Sequence, residues 1–522
     1  MAITSLTETE RKYDVEESTQ LPTLSELGTV RRDETVTLRA VYYDTADGAL
    51  AARLITLRRR TGGKDEGWHL KTPGTDGRTE HQAPLSDETP AEILDLVRAV
   101  LRGRPLVEVA RLTTQRTLST LQGTSDELLV EIADDLVSAT DVHTGILRIW
   151  REWEAELLEG APDDVRERAA LLDAVESALL GAGATPSSSY SKLARATGRT
   201  SLAPRAPATP RASDLTALDV VLGVIRQLTD TLVATDARVR SDEPDAVHTL
   251  RVTVRRLRGV LAAFRGVLDR SVTDGIRDRL RALGDVLGTA RDAEVRRARG
   301  DALLAGETEG QPSNGDRQND GESTADAVVF QADDDIRRRL VDDALGEYRV
   351  RLAEVVAYLD SADYFTLLDE LDQLVARPPV AGSALLPARA VVRDALRRQS
   401  RRARKRLRGV EHTDLEALHA ARKASRRLRY LAEALSRGDN PILGKKTAAL
   451  GDAAEDVQDV IGDHRDALLF LDRLDITARE ATEAGENAAA YGALATAERG
   501  NAQLSIDRLS DARARLTKKA KA

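Results

Sequence analysis

Glu8, Glu10 and Lys12, in the run Glu8-Thr-Glu10-Arg-Lys12, are the first residues of this 522-residue chain whose types and spacing suit chemistry. Successive side chains of an extended strand point to opposite faces, so these three would share one face while Thr9 and Arg11 take the other. Two carboxylates buried together need a compensating charge, and a divalent cation that prefers oxygen would supply it. Alternating Glu and Lys also decorate ordinary exposed edge strands, so the motif alone decides little. The same phasing recurs, however, in Arg58 and Arg60 of ITLRRR, His69 and Lys71 of WHLK, Arg78 and Glu80 of RTE, Arg116 of TTQRTL, Glu131 with Asp135, and Glu152, Glu154 and Glu156 of REWEAEL. Antiparallel strands usually turn apolar residues inward. Here charge fills one face and Leu, Val, Ile or Trp the other, which is the pattern of a barrel with a wet, charged lumen and an apolar exterior covered by helices.

Such a lumen has a definite use. Lys and Arg hold the oxygens of a linear triphosphate, while an acidic cluster holds one or two Mg2+ or Mn2+ ions that bridge phosphate oxygens and polarise a water. Phosphoryl transfer asks little covalent help of a protein; it asks for charge around the transferred group and an in-line nucleophile.

Strand-like segments able to position these residues fall near 5–15, 35–45, 54–61, 67–73, 78–85, 107–122, 127–141 and 146–159, separated by turns such as Gly62-Gly63 and Pro73-Gly74. Helices are expected after the capping-box spacing Thr23-Leu-Ser-Glu26 and near 88–102 and 163–181. A closed tunnel would hide the sheet edges. The Pro- and Ala-rich run 199–213 reads as a linker. Everything beyond it reads as helical except 304–327, which is too polar to bury a core and is expected to be a disordered insertion. The fold class is therefore α+β with two domains: an eight-stranded antiparallel β tunnel with flanking helices over 1–198, and over 214–515 an all-α pair of pseudo-symmetric helical bundles.

No cysteine occurs, which excludes disulfides, thiolate nucleophiles and Cys-based zinc sites. The first residues lack a secretory pattern and no run is apolar enough to span a membrane, so a cytoplasmic protein is expected.

Taken in order, ExExK at Glu8 to Lys12, Tyr42-Tyr43-Asp44-Thr45, LRRR at 57–60, WHLK at 68–71, the EIADD segment, the strand at 152–156 and Ser191-Lys192-Leu-Ala-Arg195 resemble a CYTH domain, or triphosphate tunnel metalloenzyme. The resemblance covers about residues 1–200. It implies that Lys12, Arg58, Arg60, Lys71, Arg116 and Lys192 grip phosphates, that Glu8, Glu10, Asp135, Glu154 and Glu156 hold metal, and that Glu8, Glu10 and Lys12 are catalytic. Whether Glu152 or Glu156 completes the pair on the last long strand stays open. Members of that family hydrolyse inorganic or thiamine triphosphate, act on RNA 5′-triphosphate, or cyclise ATP.

The helical half repeats itself. His248, Arg251, Arg255 and Arg258 recur as His419, Arg422, Arg426 and Arg429, and Leu287-Gly-Thr-Ala-Arg291-Asp292 recurs as Ile461-Gly-Asp-His-Arg465-Asp466. A helical period puts each set of cations on one stripe beside an apolar stripe, Leu250, Val254, Leu257 and Leu261 in the first copy, and the second adds Lys423. One Arg-rich stripe is most often a solvated face; the same spacing twice argues for use, and Arg suits phosphate because its planar fork donates two parallel bonds. The net charge of −9 conceals this, because residues 301–335 carry ten of the 86 acids and one of the 77 bases. A further run, 388–408, is densely basic with Asp394 its single acid, and points to a polyanionic partner. The repeats resemble a CHAD domain, whose suggested ligand is inorganic polyphosphate, which would associate the protein with polyphosphate granules. That resemblance implies His248, Arg251, Arg255, Arg258, His419, Arg422, Lys423, Arg426 and Arg429 as ligand contacts; His464 reads rather as structural.

The leading expectation is metal-dependent hydrolysis of inorganic triphosphate in the tunnel with polyphosphate bound behind it. The alternatives are a non-catalytic polyphosphate-binding protein and a tunnel acting on thiamine triphosphate or cyclising ATP. Nucleic acid is disfavoured because few aromatics accompany the Arg stripes, and no membrane partner is expected.

Overall fold

A computed structural model describes residues 3–74, 78–199, 215–305, 334–436 and 443–521. Contacts divide the chain into two units, Met1–Thr209 and Pro210–Ala522. The expected linker and acidic insertion lie, but for their first residues, outside the described residues.

Eleven strands form one antiparallel sheet: β1 (Thr4–Glu8), β2 (Glu10–Val15), β3 (Thr29–Arg32), β4 (Val36–Asp44), β5 (Thr56–Thr61), β6 (Gly67–Pro73), β7 (Arg78–Ala83), β8 (Val107–Gln122), β9 (Leu128–Asp141), β10 (Leu147–Leu157) and β11 (Thr185–Pro186). Their order is β1-β7-β6-β5-β4-β8-β9-β10-β2-β11, with β3 beside β8. The expected first strand is thus two, because the chain changes partner at Thr9: β1 pairs with β7 and β2 with β10. One continuous segment joins both ends of the curled sheet and leaves its long strands without a free edge.

Odd positions of β2 face outward. Tyr13 packs with Leu121, Val130, Ile132 and Trp153 under Leu172, Val175 and Leu179 of α3 (Val165–Gly181, following the short α1, Ala91–Asp95, and α2, Arg98–Leu101). Arg11 reaches Asp173 at 2.7 Å and Glu176 at 2.9 Å on that helix. The apolar exterior is as the alternation implies. No helix forms at the Thr23 capping-box spacing: Leu24 has φ 50° and is buried in this core, and between Pro22 and Gly28 too few residues remain to complete a helical nucleus.

The lumen is charged along only part of its length. At one end α4 (Lys192–Ala196) inserts Leu193 and Ala196 among Ala40, Tyr42, Leu112, Val137, Ala139 and Trp150, forming an apolar plug. The sequence contains this plug only as a five-residue helix, too short for a periodic signal.

The second unit is helical: α5 (Ala217–Arg240), α6 (Ala246–Ala263), α7 (Arg270–Leu304), α8 (Asp334–Arg337), α9 (Asp343–Leu359), α10 (Ala362–Ala376), α11 (Ala388–Leu407), α12 (Leu415–Ser436), α13 (Lys445–Glu483), α14 (Ala489–Asp507) and α15 (Leu509–Lys519). The repeated motifs fall on α6 and α7 and again on α12 and α13. Leu250, Val254, Leu257 and Leu261 are all buried, as are Leu428 and Leu431 of the second copy. No helix is long and apolar enough to cross a membrane among the described residues.

Candidate active site and anion-binding surface

Register brings the charged faces together in rows. Glu10 on β2 stands opposite Glu156 on β10, which stands opposite Glu131 on β9. One step along, Lys12 faces Glu154; beyond that Glu152 faces Asp135, which faces Arg116 on β8. A cavity of about 220 Å³ opens over these rows, and Glu8, Glu10, Lys12, Arg58, Arg60, Lys71, Arg116, Glu154, Glu156 and Lys192 all line it. Asp135 alone of the expected N-terminal set lies beneath the lining, fully buried under a two-pronged contact from Arg116 at 2.7 and 2.6 Å.

The acids fall into two groups. In the first, Asp135, Glu152 and Glu154 bring oxygens within 4.8 Å of one another. Their centre is held by Lys192, whose Nζ lies 3.1, 2.6 and 2.8 Å from the three carboxylates. Lys192 stands at the first turn of α4, whose cap Ser191 accepts from the Ala194 amide at 3.1 Å, so the plug helix places this ammonium. Burial opposes its charge, but the three acids outweigh that and hold its pKa well above the usual lysine range. Glu154 also meets Lys12, and Arg116 at 3.0 Å, which keep it well below the usual carboxylate range despite burial. Protein cations already neutralise this group.

The second group is under-compensated. Glu8 bonds to Lys71, and Glu10 to Lys12 at 3.0 Å, but Glu156 has no hydrogen-bond or ion-pair partner among the described residues. Burial first, and Glu8 next, push the Glu156 carboxyl up to about 8. Burial likewise raises Glu8 to about 7, Lys71 opposing and Glu80 adding to the shift. Like charges set directly across a sheet destabilise it. An all-oxygen set short of positive charge suits a hard divalent cation such as Mg2+ or Mn2+, although among the described residues only Asp135, Glu152 and Glu154 bring three carboxylate oxygens within 4.8 Å of one another. The two candidates on β10 differ in surroundings: Glu156 lines the cavity, while Glu152 is buried, held by Lys192 and by Trp150 Nε1 at 2.5 Å.

Part of the lining is a cationic wall, Arg58 and Arg60 with Arg116 near them. Arg58 donates to Tyr42 Oη and to Glu80, both at 3.5 Å. Burial would raise the Tyr42 phenol, yet Arg58, Lys192 and Lys71 together lower it. Burial, with Arg58 and Arg116 nearby, depresses Arg60 to about 9, a sign of crowded positive charge. His69 sits behind this wall rather than in it. Fully buried, it contacts Glu80 at 3.1 Å and the Asp65 carbonyl at 2.9 Å, and burial depresses it to about 4. Glu80, Tyr42 and Glu131 also line the cavity, in addition to the residues expected there. The phase of Glu80 with Arg78 and of Glu131 with Asp135 is their signal in the sequence.

In the second unit the two cationic stripes face one another. Arg251 and Arg255 on α6 lie close enough to Arg422 and Arg426 on α12 for mutual repulsion to lower Arg251 to about 10 and Arg426 to about 9, in both cases after burial as the larger cause. Arg255 and Arg426 form no ion pair among the described residues, whereas Arg251 has only Asp292, at 3.6 Å. Arg429 differs: Glu433 at 2.8 Å and Glu455 at 2.6 Å neutralise it. His248 feels Arg291, and His419 feels Arg465, so the two motifs of each repeat meet in space. Arg258 and Lys423 continue their stripes, Arg258 near Asp285. His464 is buried and contacts the Ala502 carbonyl at 2.9 Å, a packing role.

Comparison with known proteins places both halves. The CYTH domain family matches residues 6–185 and the CHAD domain family residues 223–475. The uncharacterized protein Rv2226 of Mycobacterium tuberculosis is 38% identical over 539 residues, spanning 98% of this chain and 96% of its own. Among solved structures, the CHAD domain of the plant Ricinus communis is 21% identical over 59% of this chain and 93% of its own, with a TM-score of 0.42. A Hippeastrum protein described as a candidate adenylyl cyclase with a dominant triphosphatase activity is 16% identical over 37% of this chain and 96% of its own, with a TM-score of 0.22. The first unit has the triphosphate-tunnel fold with a buried acidic cluster; CYTH proteins are typically triphosphate tunnel enzymes dependent on a divalent metal. The two domains together suggest ligands that contain phosphate. The chain belongs to the family that joins an N-terminal CYTH domain to a C-terminal CHAD domain.

Proposed function

We propose that the tunnel hydrolyses inorganic triphosphate with Mg2+ or Mn2+, and that the helical unit binds inorganic polyphosphate. The observation that carries this reading is a small cavity lined together by six Lys or Arg side chains of the expected set and by under-compensated carboxylates. At about 220 Å³ it is smaller than the roughly 300–1,000 Å³ of sites for drug-sized ligands. Its lining offers two leucines and one tyrosine to an apolar group, poor surroundings for a nucleobase. Size and polarity therefore favour bare triphosphate over a nucleotide, and hydrolysis over cyclisation.

Glu8, Glu10 and Glu156 would hold the cation, with Glu131 in the same row. Bound there, a divalent ion would neutralise phosphate oxygens and polarise a water. Lys12, Arg58, Arg60, Lys71, Arg116 and Lys192 would orient the triphosphate. Lys12 stays protonated despite burial because Glu154 and Glu10 flank it, so it can meet a phosphate oxygen without a change of protonation state. Asp135 acts one layer back, fixing Arg116 and Lys192, while Glu154, in the lining itself, holds Lys12, Lys192 and Arg116. Phosphate release from tripolyphosphate should require Mg2+ or Mn2+ and disappear in Glu8→Ala with Glu10→Ala. Equal rates in chelator, or full activity in that double variant, would reject the reading.

In the helical unit, Arg251, Arg255, Arg422 and Arg426 offer four guanidinium groups to one ligand with little acid between them. A phosphate chain would relieve their repulsion while accepting their forked donors.

A further inference from the structure

The basic run on α11 belongs to neither site. Arg393, Arg397, Arg401 and Arg404 follow one face of that helix and line a cavity of about 950 Å³ with the start of α13 and the end of α15. Eleven residues of helix place the first and last about 16 Å apart, too far for one tetrahedral anion. Among the described residues Asp394 is the single acid in the lining, and it is engaged by Arg398. The matching helix of the first repeat has no such stripe. Its cap Thr216 pairs with Pro387, the cap of α11, and this alignment sets Leu222, Arg226, Asp230 and Val233 against the four arginines. The groove is therefore absent from the symmetric plan that produces the facing His and Arg stripes.

Two observations independent of the arginines mark it as a receptor for anions. Ser400 lines the cavity, is 5% exposed, and its buried Oγ has no hydrogen-bond partner among the described residues. A buried hydroxyl without a partner is costly and calls for one. The 39-residue α13 also opens into the same space, capped by Gly444 with no side-chain acceptor for its first amides. A helix start of this kind favours phosphate oxygens.

We infer that the α11 groove is a second binding site for a linear inorganic polyphosphate chain, separate from the α6–α12 cluster. The extended cationic row matches a repeating anion, Ser400 and the α13 amides supply directed donors, and among the described residues no aromatic side chain lines the groove to stack a base. The inference shares its ligand with the function proposed above but not its residues.

The test is calorimetric titration of the full chain with polyphosphate of defined length, in four forms: unchanged, R397Q/R401Q, R255Q/R426Q, and all four substitutions together. Arg397 and Arg401 are exposed, and Gln in their place leaves the helix intact. Two classes of site are expected in the unchanged chain, one lost in each double variant and both in the quadruple. S400A should weaken the α11 class alone by about tenfold, the loss of one hydrogen bond to a charged group. If R255Q/R426Q abolishes all binding while R397Q/R401Q alters nothing, the groove is not a site and the α6–α12 reading survives. If the reverse holds, the groove stands and that reading fails. Displacement from the R255Q/R426Q form by single- or double-stranded nucleic acid as readily as by polyphosphate would overturn the choice of ligand.

Discussion

Gly462 on α13 lies directly against Arg422 on α12: a Cβ at this glycine would stand 2.9 Å from Arg422 Nη2 and 3.2 Å from Nε. In the first repeat Gly288 meets Arg251 in the same way but more loosely, at 3.7 Å from Nη2. The glycine of each Leu287-Gly or Ile461-Gly motif thus makes room for the first arginine of each stripe.

Substitution at these two glycines should separate stability from binding. Alanine in a helix interior gains about 1 kcal/mol over glycine. Gly288→Ala should raise the melting temperature and leave polyphosphate affinity unchanged, since its contact is ordinary. Gly462→Ala should keep the fold but push Arg422 aside and weaken binding severalfold. Paired thermal melts and titrations check this; equal binding losses in both would mean the spacing difference is irrelevant.

Metal affinity in the tunnel should follow proton release. Glu8 and Glu156 have folded pKa values raised to about 7 and 8, so near neutrality the metal-free site carries protons that a cation must displace. Protonation of these two carboxyls is favoured in the folded state, so its contribution to stability is complete below the unfolded value near 4.5 and is lost as pH rises through about 8. Metal-free protein should therefore lose stability between about pH 5 and 8.5, and Mn2+ should restore it most strongly at the upper end. Glu156→Gln, fixed in the neutral form, should be about 2 kcal/mol more stable than the unchanged chain near pH 8.5 without metal. It should also bind Mn2+ more weakly, and melts with and without the ion at both pH values decide.

How far the sequence discloses this site depends on where each residue sits. The shared face of Glu8, Glu10 and Lys12 is legible because a period of two is written within one segment. So is the division between Leu250, Val254, Leu257 and Leu261 and the Arg stripe, a helical period over a long uninterrupted run. The position of Lys192 among three carboxylates is not, because α4 is five residues long and enters the tunnel from outside the strand pattern. Nor can alternation distinguish Glu152 from Glu156: both share a face, and only the apolar plug at one end makes their surroundings differ. The capping-box spacing at Thr23 misleads for a similar reason, since the burial of Leu24 overrides a local preference. Arg429 matches Arg258 in the repeat, yet Glu455 reaches it from α13, a contact between helices that no spacing within one of them records.

Lys192→Met should expose a latent metal site. Removing the ammonium leaves Asp135, Glu152 and Glu154 with oxygens within 4.8 Å and one cation fewer. Breaking a buried ion pair from one side costs about 3–5 kcal/mol. The variant should melt much earlier than the unchanged chain, and Mn2+ should recover part of that loss in a form that chelator reverses. Recovery no greater than in the unchanged chain would indicate that water or rearrangement, not positive charge, satisfies the three acids.

The facing arginines of the helical unit should trade stability for binding. Arg255 and Arg426 are charged at neutral pH with no acid paired to either among the described residues, and their mutual repulsion acts on the folded state alone. Arg426, depressed to about 9 first by burial and then by Arg255, is the more strained of the two. Arg426→Gln should therefore raise the melting temperature of the ligand-free protein by the equivalent of about 1 kcal/mol, against the usual direction for a half-buried substitution. The same change should cost at least tenfold in polyphosphate affinity through loss of a forked phosphate contact, roughly 1.5–3 kcal/mol. Polyphosphate should stabilise the unchanged chain by an amount that grows with the logarithm of its concentration, as binding to the folded state alone requires. Added salt should shrink that gain, because much of the attraction is between charges that ions can screen. Destabilisation by Arg426→Gln without ligand would show that water, or Tyr430, whose hydroxyl accepts from Arg255 and lies near Arg426, already compensates the cluster, and would remove the reason for a polyanion there.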